Sequence, residues 1–179
     1  MKSLNLLICL TIPFTIFGIG LDDFRERPFG HILFIRHALA PGFGDPDHFQ
    51  IRRCDTQRNL DEKGRNQARN LRKLLKNSGI PFDQIYSSQW CRCLETAELL
   101  NLGSVLEEPG LNSFFQGIVN QVETLSRLRG KMKEIQTAGD RVIMVTHYVT
   151  ISAITGKAVS SGGGVVYDID SGKSVEIDF

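Results

Sequence analysis

Hydrophobic positions along the chain fall into two kinds of run. Ile32-Leu33-Phe34-Ile35 and Val142-Ile143-Met144-Val145 are short, continuous and rich in bulky or β-branched residues. Runs without polar alternation are expected of strands covered on both faces in a parallel sheet. Gln84-Ile85-Tyr86-Ser87-Ser88 predicts a third short strand. Between the strands the apolar period lengthens. Leu60, Ala68, Leu71, Leu74 and Leu75 recur at helical spacing, with Asp61 placed as N-cap and Gly79 before Ile80-Pro81 as the stop. Trp90 to Leu100 predicts a second helix, capped by Ser87 or Ser88. Val119 to Gln136 predicts a third, with Val122, Leu125, Leu128, Met132 and Ile135 as its core side. Tyr148 to Thr155 predicts a fourth, ended by Gly156. Residues 164–170 and 174–178 alternate around Ser171-Gly172, a hairpin signal. Residues 41–59 and 101–117 read as irregular. Strands alternating with helices predict a three-layer α/β/α sandwich with a mostly parallel central sheet and a C-terminal β-hairpin.

The remaining features bound this picture. A chain of 179 residues suits one domain, and a formal net charge of +1 offers no electrostatic case for a nucleic-acid partner. Residues 1–20 stand apart: Lys2 is their one charge, Leu4 to Ile19 is almost wholly apolar, and Gly18-Ile19-Gly20 is a small-x-small exit. That pattern describes a signal peptide ahead of a domain spanning 21–179, and it predicts a periplasmic or secreted protein without stable membrane association after cleavage. An uncleaved anchor or a buried helix would carry a similar run. Cys54, Cys91 and Cys93 follow. An exported chain tolerates one disulfide, from Cys54 to Cys91 or Cys93. No cysteine–histidine spacing suits zinc.

The candidate chemistry sits at strand ends. The first run closes in Arg36-His37 and the last in Thr146-His147, while Arg92 falls in the first turn of the helix after Ser88. A cation is disfavoured there by the helix dipole and makes more sense beside a bound anion. In an open α/β fold these ends share one sheet edge, where ligands bind. Two arginines and two histidines around one point suit a phosphoryl group. One imidazole is then available as nucleophile.

These segments resemble the histidine phosphatase superfamily. Arg36-His37-Ala38 is similar to its Arg-His-Gly motif. Leu60-Asp61-Glu62-Lys63-Gly64-Arg65-Asn66-Gln67-Ala68 is similar to its Leu-Thr-x-x-Gly-x-x-Gln-Ala helix start. Ser87-Ser88, Arg92 and Thr96-Ala97 are similar to its central segment, and Val145-Thr146-His147 to its second histidine strand. The resemblance implies a phosphoglycerate mutase-like fold, with His37 as the nucleophile that becomes phosphohistidine. Arg36, Arg92 and His147 would hold the phosphate, and Arg58 is similar to a further arginine of the small phosphohistidine phosphatases. It implies a phosphorylated small molecule as substrate, and neither metal nor cofactor.

Two departures bear on the proton donor. Asn112 falls near the acid expected after the second strand's helix, and Tyr148 stands where other members carry Asp. Glu108, then Glu107, are the nearest carboxylates. The expected function is an exported phosphatase acting on phosphomonoesters or phosphoramidates. The alternatives are a catalytically weak phosphoryl-binding module of the same fold, or a protein phosphohistidine phosphatase.

Overall fold

The computed structural model describes residues 21–26, 30–177 and 179. The segment 1–20, expected to be a signal peptide, lies outside them. The elements in chain order are α1 (Leu21–Glu26), β1 (His31–Arg36), α2 (Glu62–Asn77), β2 (Gln84–Ser87), α3 (Cys91–Leu100), β3 (Val105–Glu107), α4 (Gln121–Ala138), β4 (Val142–Thr146), α5 (Tyr148–Thr155), β5 (Gly164–Asp168) and β6 (Ser174–Ile177). Among the described residues, no helix is long and apolar enough to cross a membrane.

The strands form one sheet in the order β3-β2-β4-β1-β5-β6. β3, β2, β4 and β1 are parallel, whereas β5 runs antiparallel to both β1 and β6. Parallel register pairs Arg36 with Thr146 and Ser87 with Val145, so β1, β2 and β4 end at one edge. Period-two alternation then splits β1 between two cores. Leu33 and Ile35 join Leu71, Leu75, Trp90, Ala97 and Leu100 beneath α2 and α3. Ile32 and Phe34 join Leu128, Met132, Ile135 and Ile151 beneath α4 and α5. This is the predicted three-layer sandwich, and β5–β6 is the predicted hairpin.

The predicted stops hold because each satisfies free helix-end groups. Asp61 accepts from Gly64 N at 2.8 Å, capping α2. Gly156 adopts φ +69° after α5, as does Gly79 (φ +67°) just past α2. Three readings need correction. The segment 101–117 contains β3, which at three residues is too short to show a period. Val122, read as core, is 77% exposed, and the N-cap of α3 is Trp90 with no side-chain cap bond, not Ser87 or Ser88; Leu74, at helical spacing, is 45% exposed. Leu74 lies on the outer flank of the α2 stripe, and Val122 lies in the first turn of α4, before the helix reaches the sheet.

Gly64 shows what close approach requires. A Cβ there would fall inside the contact radius of the Leu39 carbonyl oxygen, and backbone cannot swing away as a side chain can. One turn on, Gln67 Oε1 accepts from Leu39 N at 2.9 Å, and its Nε2 donates to Ser161 O at 2.6 Å. Glycine and glutamine together clamp α2 onto the chain two residues beyond His37. Gly64→Ala is expected to lower unfolding free energy by about 1–3 kcal/mol through overpacking. It should also depress activity by displacing Leu39, as checked by denaturant melts alongside turnover.

Candidate active site

Arg36 ends β1, and His37 and His147 each stand one residue beyond a strand at the shared edge. Arg92 is the second residue of α3. A cavity of about 260 Å³ there is lined by Arg36, His37, Arg58, Arg92 and His147, with Ser113 and Tyr148 beside them. A larger hollow of about 710 Å³ lies between α2 and residues 160–163, but among the described residues Lys63 is the one ionisable side chain that lines it. The chemistry therefore belongs to the smaller cavity, which brings together five of the six predicted site residues.

His37 is built as a nucleophile. Its Nδ1 lies 2.8 Å from Ala38 O. A carbonyl can only accept, so Nδ1 carries the proton and Nε2 keeps its lone pair. Arg92 Nε donates toward that Nε2 at 3.3 Å. Burial, then the adjacent Arg92 charge, hold the His37 pKa down at about 3, so the ring is neutral at physiological pH. Thr96 secures the next residue: its hydroxyl accepts from Ala38 N at 3.0 Å and donates to Arg92 O at 2.6 Å.

His147 faces His37 with ring centroids 5.4 Å apart. Burial and the neighbouring positive charges keep its pKa well below the ordinary value. Asn112 Oδ1 accepts from Gln89 N at 2.9 Å and so must be the amide oxygen; Ser88 Oγ then donates to it at 3.1 Å. With its one proton committed, Ser88 Oγ accepts from His147 Nε2 at 3.0 Å. Asn112, close to the position expected for an acid, thus ends a chain that orients His147. Cys93 Sγ is 3.4 Å from the same nitrogen, and burial pushes its thiol up to about 12.

The arginines are partly satisfied by protein acceptors. Arg36 donates to Val159 O at 2.9 Å and lies over the Tyr148 ring at 5.5 Å. Its Nε is buried with no acceptor among the described residues. Arg58 donates to Gly44 O at 2.8 Å and also to Ala40 O. Burial lowers the pKa of both. Arg92 meets Asp45, a residue that reads in sequence as an ordinary turn carboxylate among Gly44, Pro46 and Asp47. Three guanidinium groups against one carboxylate leave the cavity strongly cationic, as a phosphoryl dianion requires. Among the described residues, no group of three or more His, Cys, Asp or Glu is arranged to hold a metal ion.

Glu108 is not at the site. Its Oε1 accepts from Gly110 N at 2.7 Å, and its own N–H continues the β2 edge by donating to Ser87 O at 2.8 Å. Pro109 and Gly110 turn the chain at once, so the side chain stays beneath that turn. Glu107 pairs with Arg52 at 3.2 Å on the surface. Ser113 and Phe115 are what this segment brings to the cavity, and among the described residues no carboxylate lines its walls. The disulfide is Cys54–Cys91. It joins the loop carrying Asp45 and Arg58 to the start of α3 one residue before Arg92.

Residues 32–124 match the model of the histidine phosphatase superfamily (branch 1). The match spans over half of the sequence, and the chain belongs to this family. No curated protein matches it. The protein histidine phosphatase SixA complexed with tungstate is similar at 16% identity, over 82% of this chain and 93% of that one, with a TM-score of 0.56. The α-ribazole phosphatase from Shigella flexneri shows 17% identity over 82% and 94%, with a TM-score of 0.59. A mycobacterial glucosyl-3-phosphoglycerate phosphatase with VO3 shows 15% over 76% and 91%, with a TM-score of 0.54. The fold is phosphoglycerate mutase-like.

Two outcomes follow. An unfolded histidine binds a proton below about pH 6.5, whereas folded His37 stays neutral to about 3. The unfolded state then holds more protons, so unfolding free energy should fall as pH drops through that window. In ¹⁵N NMR, the His37 and His147 rings of the free protein should stay neutral between pH 8 and 5; midpoints near 6.5 would contradict this. Opening the 37-residue Cys54–Cys91 loop should cost about 4 kcal/mol on the chain-entropy model. The Cys54→Ser variant should also bind phosphate more weakly, measurable by calorimetry.

Proposed function

We propose that this protein is an exported phosphatase that removes a phosphoryl group through a phosphohistidine on His37. The observation that carries the reading is a neutral imidazole, its Nε2 lone pair directed to Arg92, at the wall of a cavity holding three guanidinium groups. Nε2 attacks phosphorus, and the P–N bond forms as the bond to the leaving atom breaks. Arg36, Arg58 and Arg92 take the charge on the equatorial oxygens, while His147, its one N–H donated to Ser88, lines the cavity beside them. Water then attacks phosphorus, the P–N electron pair returns to the imidazole, and inorganic phosphate departs.

The cavity walls bear on the substrate. Without a carboxylic acid to protonate an alkoxide, the site suits leaving groups that depart unaided. Phosphoramidates, whose nitrogen picks up a proton from water, and aryl phosphates meet that condition. Phe43, 89% exposed, packs edge-on against Phe115 at 5.2 Å and gives the mouth an apolar lip. The likeness to SixA favours the phosphoramidate reading. Export is supported by the composition of residues 1–20 and by the disulfide, which belongs in an oxidising compartment. Small phosphorylated molecules are then the substrates such a protein meets.

Phosphoramidate and p-nitrophenyl phosphate should be turned over with kcat/KM about a hundredfold or more above an alkyl phosphate. His37→Ala should remove at least about a thousandfold of that activity, and rapid quenching should trap an acid-labile phosphoprotein in the wild type alone. Equal rates on alkyl and aryl phosphates would show a proton donor at work. Tight vanadate binding without turnover would point to the binding module.

A further inference from the structure

The buried ion pair between Asp45 and Arg92 has no part in the reaction as described above. The Asp45 side chain is 3% exposed. Its Oδ1 accepts from Arg92 Nη1 at 2.8 Å and Arg58 N at 3.1 Å. Its Oδ2 accepts from Arg92 Nη2 at 3.0 Å and Trp90 Nε1 at 3.0 Å. Four donors from two segments converge on one carboxylate. The chain around it is held too, since Asp45 N donates to Gln116 Oε1 at 2.8 Å.

The consequence for Arg92 is geometric. Both terminal nitrogens of its fork are committed to Asp45, and Nη1 also reaches Arg58 O at 3.3 Å. The Nε edge is what remains on the cavity side: Nε is 3.3 Å from His37 Nε2, and the second N–H of Nη2 lies alongside it. Freed of Asp45, the guanidinium would be able to turn its terminal fork to phosphate instead, and the nucleophile would lose the Nε–H that faces it.

We propose that Asp45 is a positioning residue for the phosphoryl site: it occupies the terminal fork of Arg92, so that the Nε edge faces the nucleophile and the fork is not free to grip the departing phosphate. The inference rests on the reading of the cavity as a phosphoryl site. Asp45 acts through Arg92 and touches no reacting atom. Its charge also offsets one guanidinium, which weakens the hold on inorganic phosphate. Burial raises the Asp45 pKa, but the hydrogen bonds and charge of Arg92 outweigh it and hold the carboxyl below its usual range, so this arrangement persists into acid.

The test measures kcat and the inhibition constant of inorganic phosphate for the full chain, together with orthovanadate binding by calorimetry. In Asp45→Asn the fork is released and one negative charge is lost. Turnover should fall about tenfold while phosphate binds about tenfold more tightly. Asp45→Glu, which keeps the charge, should hold phosphate close to the wild-type constant. If Asp45→Asn does not fold, a phosphate constant for Asp45→Glu that departs from wild type about tenfold overturns the proposal, and one that stays close supports it. In an Arg92→Lys background, Asp45→Asn should tighten phosphate binding clearly less than in the wild type, because its charge still acts but the fork it occupied is gone. Phosphate binding that weakens in step with kcat would mean a merely structural loop contact and overturn the proposal, as would no change in either. A wild type that binds neither phosphate nor vanadate overturns the phosphoryl-site reading, and this inference with it. A wild type that binds both, with Asp45→Asn indistinguishable from it, overturns this inference alone.

Discussion

Three guanidinium groups sit around two neutral imidazoles with one carboxylate among them, and the repulsion this creates is the constraint the structure has to meet. Like charges in a partly desolvated cavity push apart, and the cost grows as water is excluded. The chain holds them with fixed acceptors: Val159 O for Arg36, Gly44 O and Ala40 O for Arg58, and Asp45 for Arg92. Burial, and after it the same field, keeps both histidines unprotonated. A cationic cup around a neutral nucleophile is therefore one electrostatic object, in which the arginines that attract a phosphoryl group also keep the lone pair available.

The scaffold serves that object from several directions. Gly64 and Gln67 clamp α2 onto Leu39, Thr96 ties Ala38 to the Arg92 carbonyl, and the Asn112–Ser88–His147 chain turns the second imidazole. The Cys54–Cys91 bridge joins the loop to α3 at the point where opposing charges meet. None of these groups reacts. They suppress the side-chain and loop freedom that would otherwise let the arginines separate.

Much of the fold was legible because period carries burial directly. Continuous apolar runs marked β1 and β4, and Asp61, Gly79 and Gly156 marked helix ends for local backbone reasons. The site residues were legible for a related reason: a residue next to a buried parallel strand's carboxyl end is placed by the strand itself, as with Arg36, His37 and His147. Where the reading failed, the deciding contact was not local. Val122 follows helical period but lies beyond the sheet's reach. Glu108 was the nearest carboxylate in sequence, yet the immediate Pro109-Gly110 turn holds it at the β2 edge.

By itself the sequence determined the alternation of strands and helices, the histidine and arginine that strand ends must present, and family membership through four ordered motifs. Tertiary structure decided the rest, because it depends on separations the chain does not encode locally. Cys54 pairs with Cys91 and not Cys93, since Cys93 is turned into the core against His147. Asp45 looks like a solvated turn residue until the loop folds over α3 and buries it against Arg92, 47 residues away. A turn carboxylate and an ion-pair anchor have the same local sequence, and only the path of the loop distinguishes them.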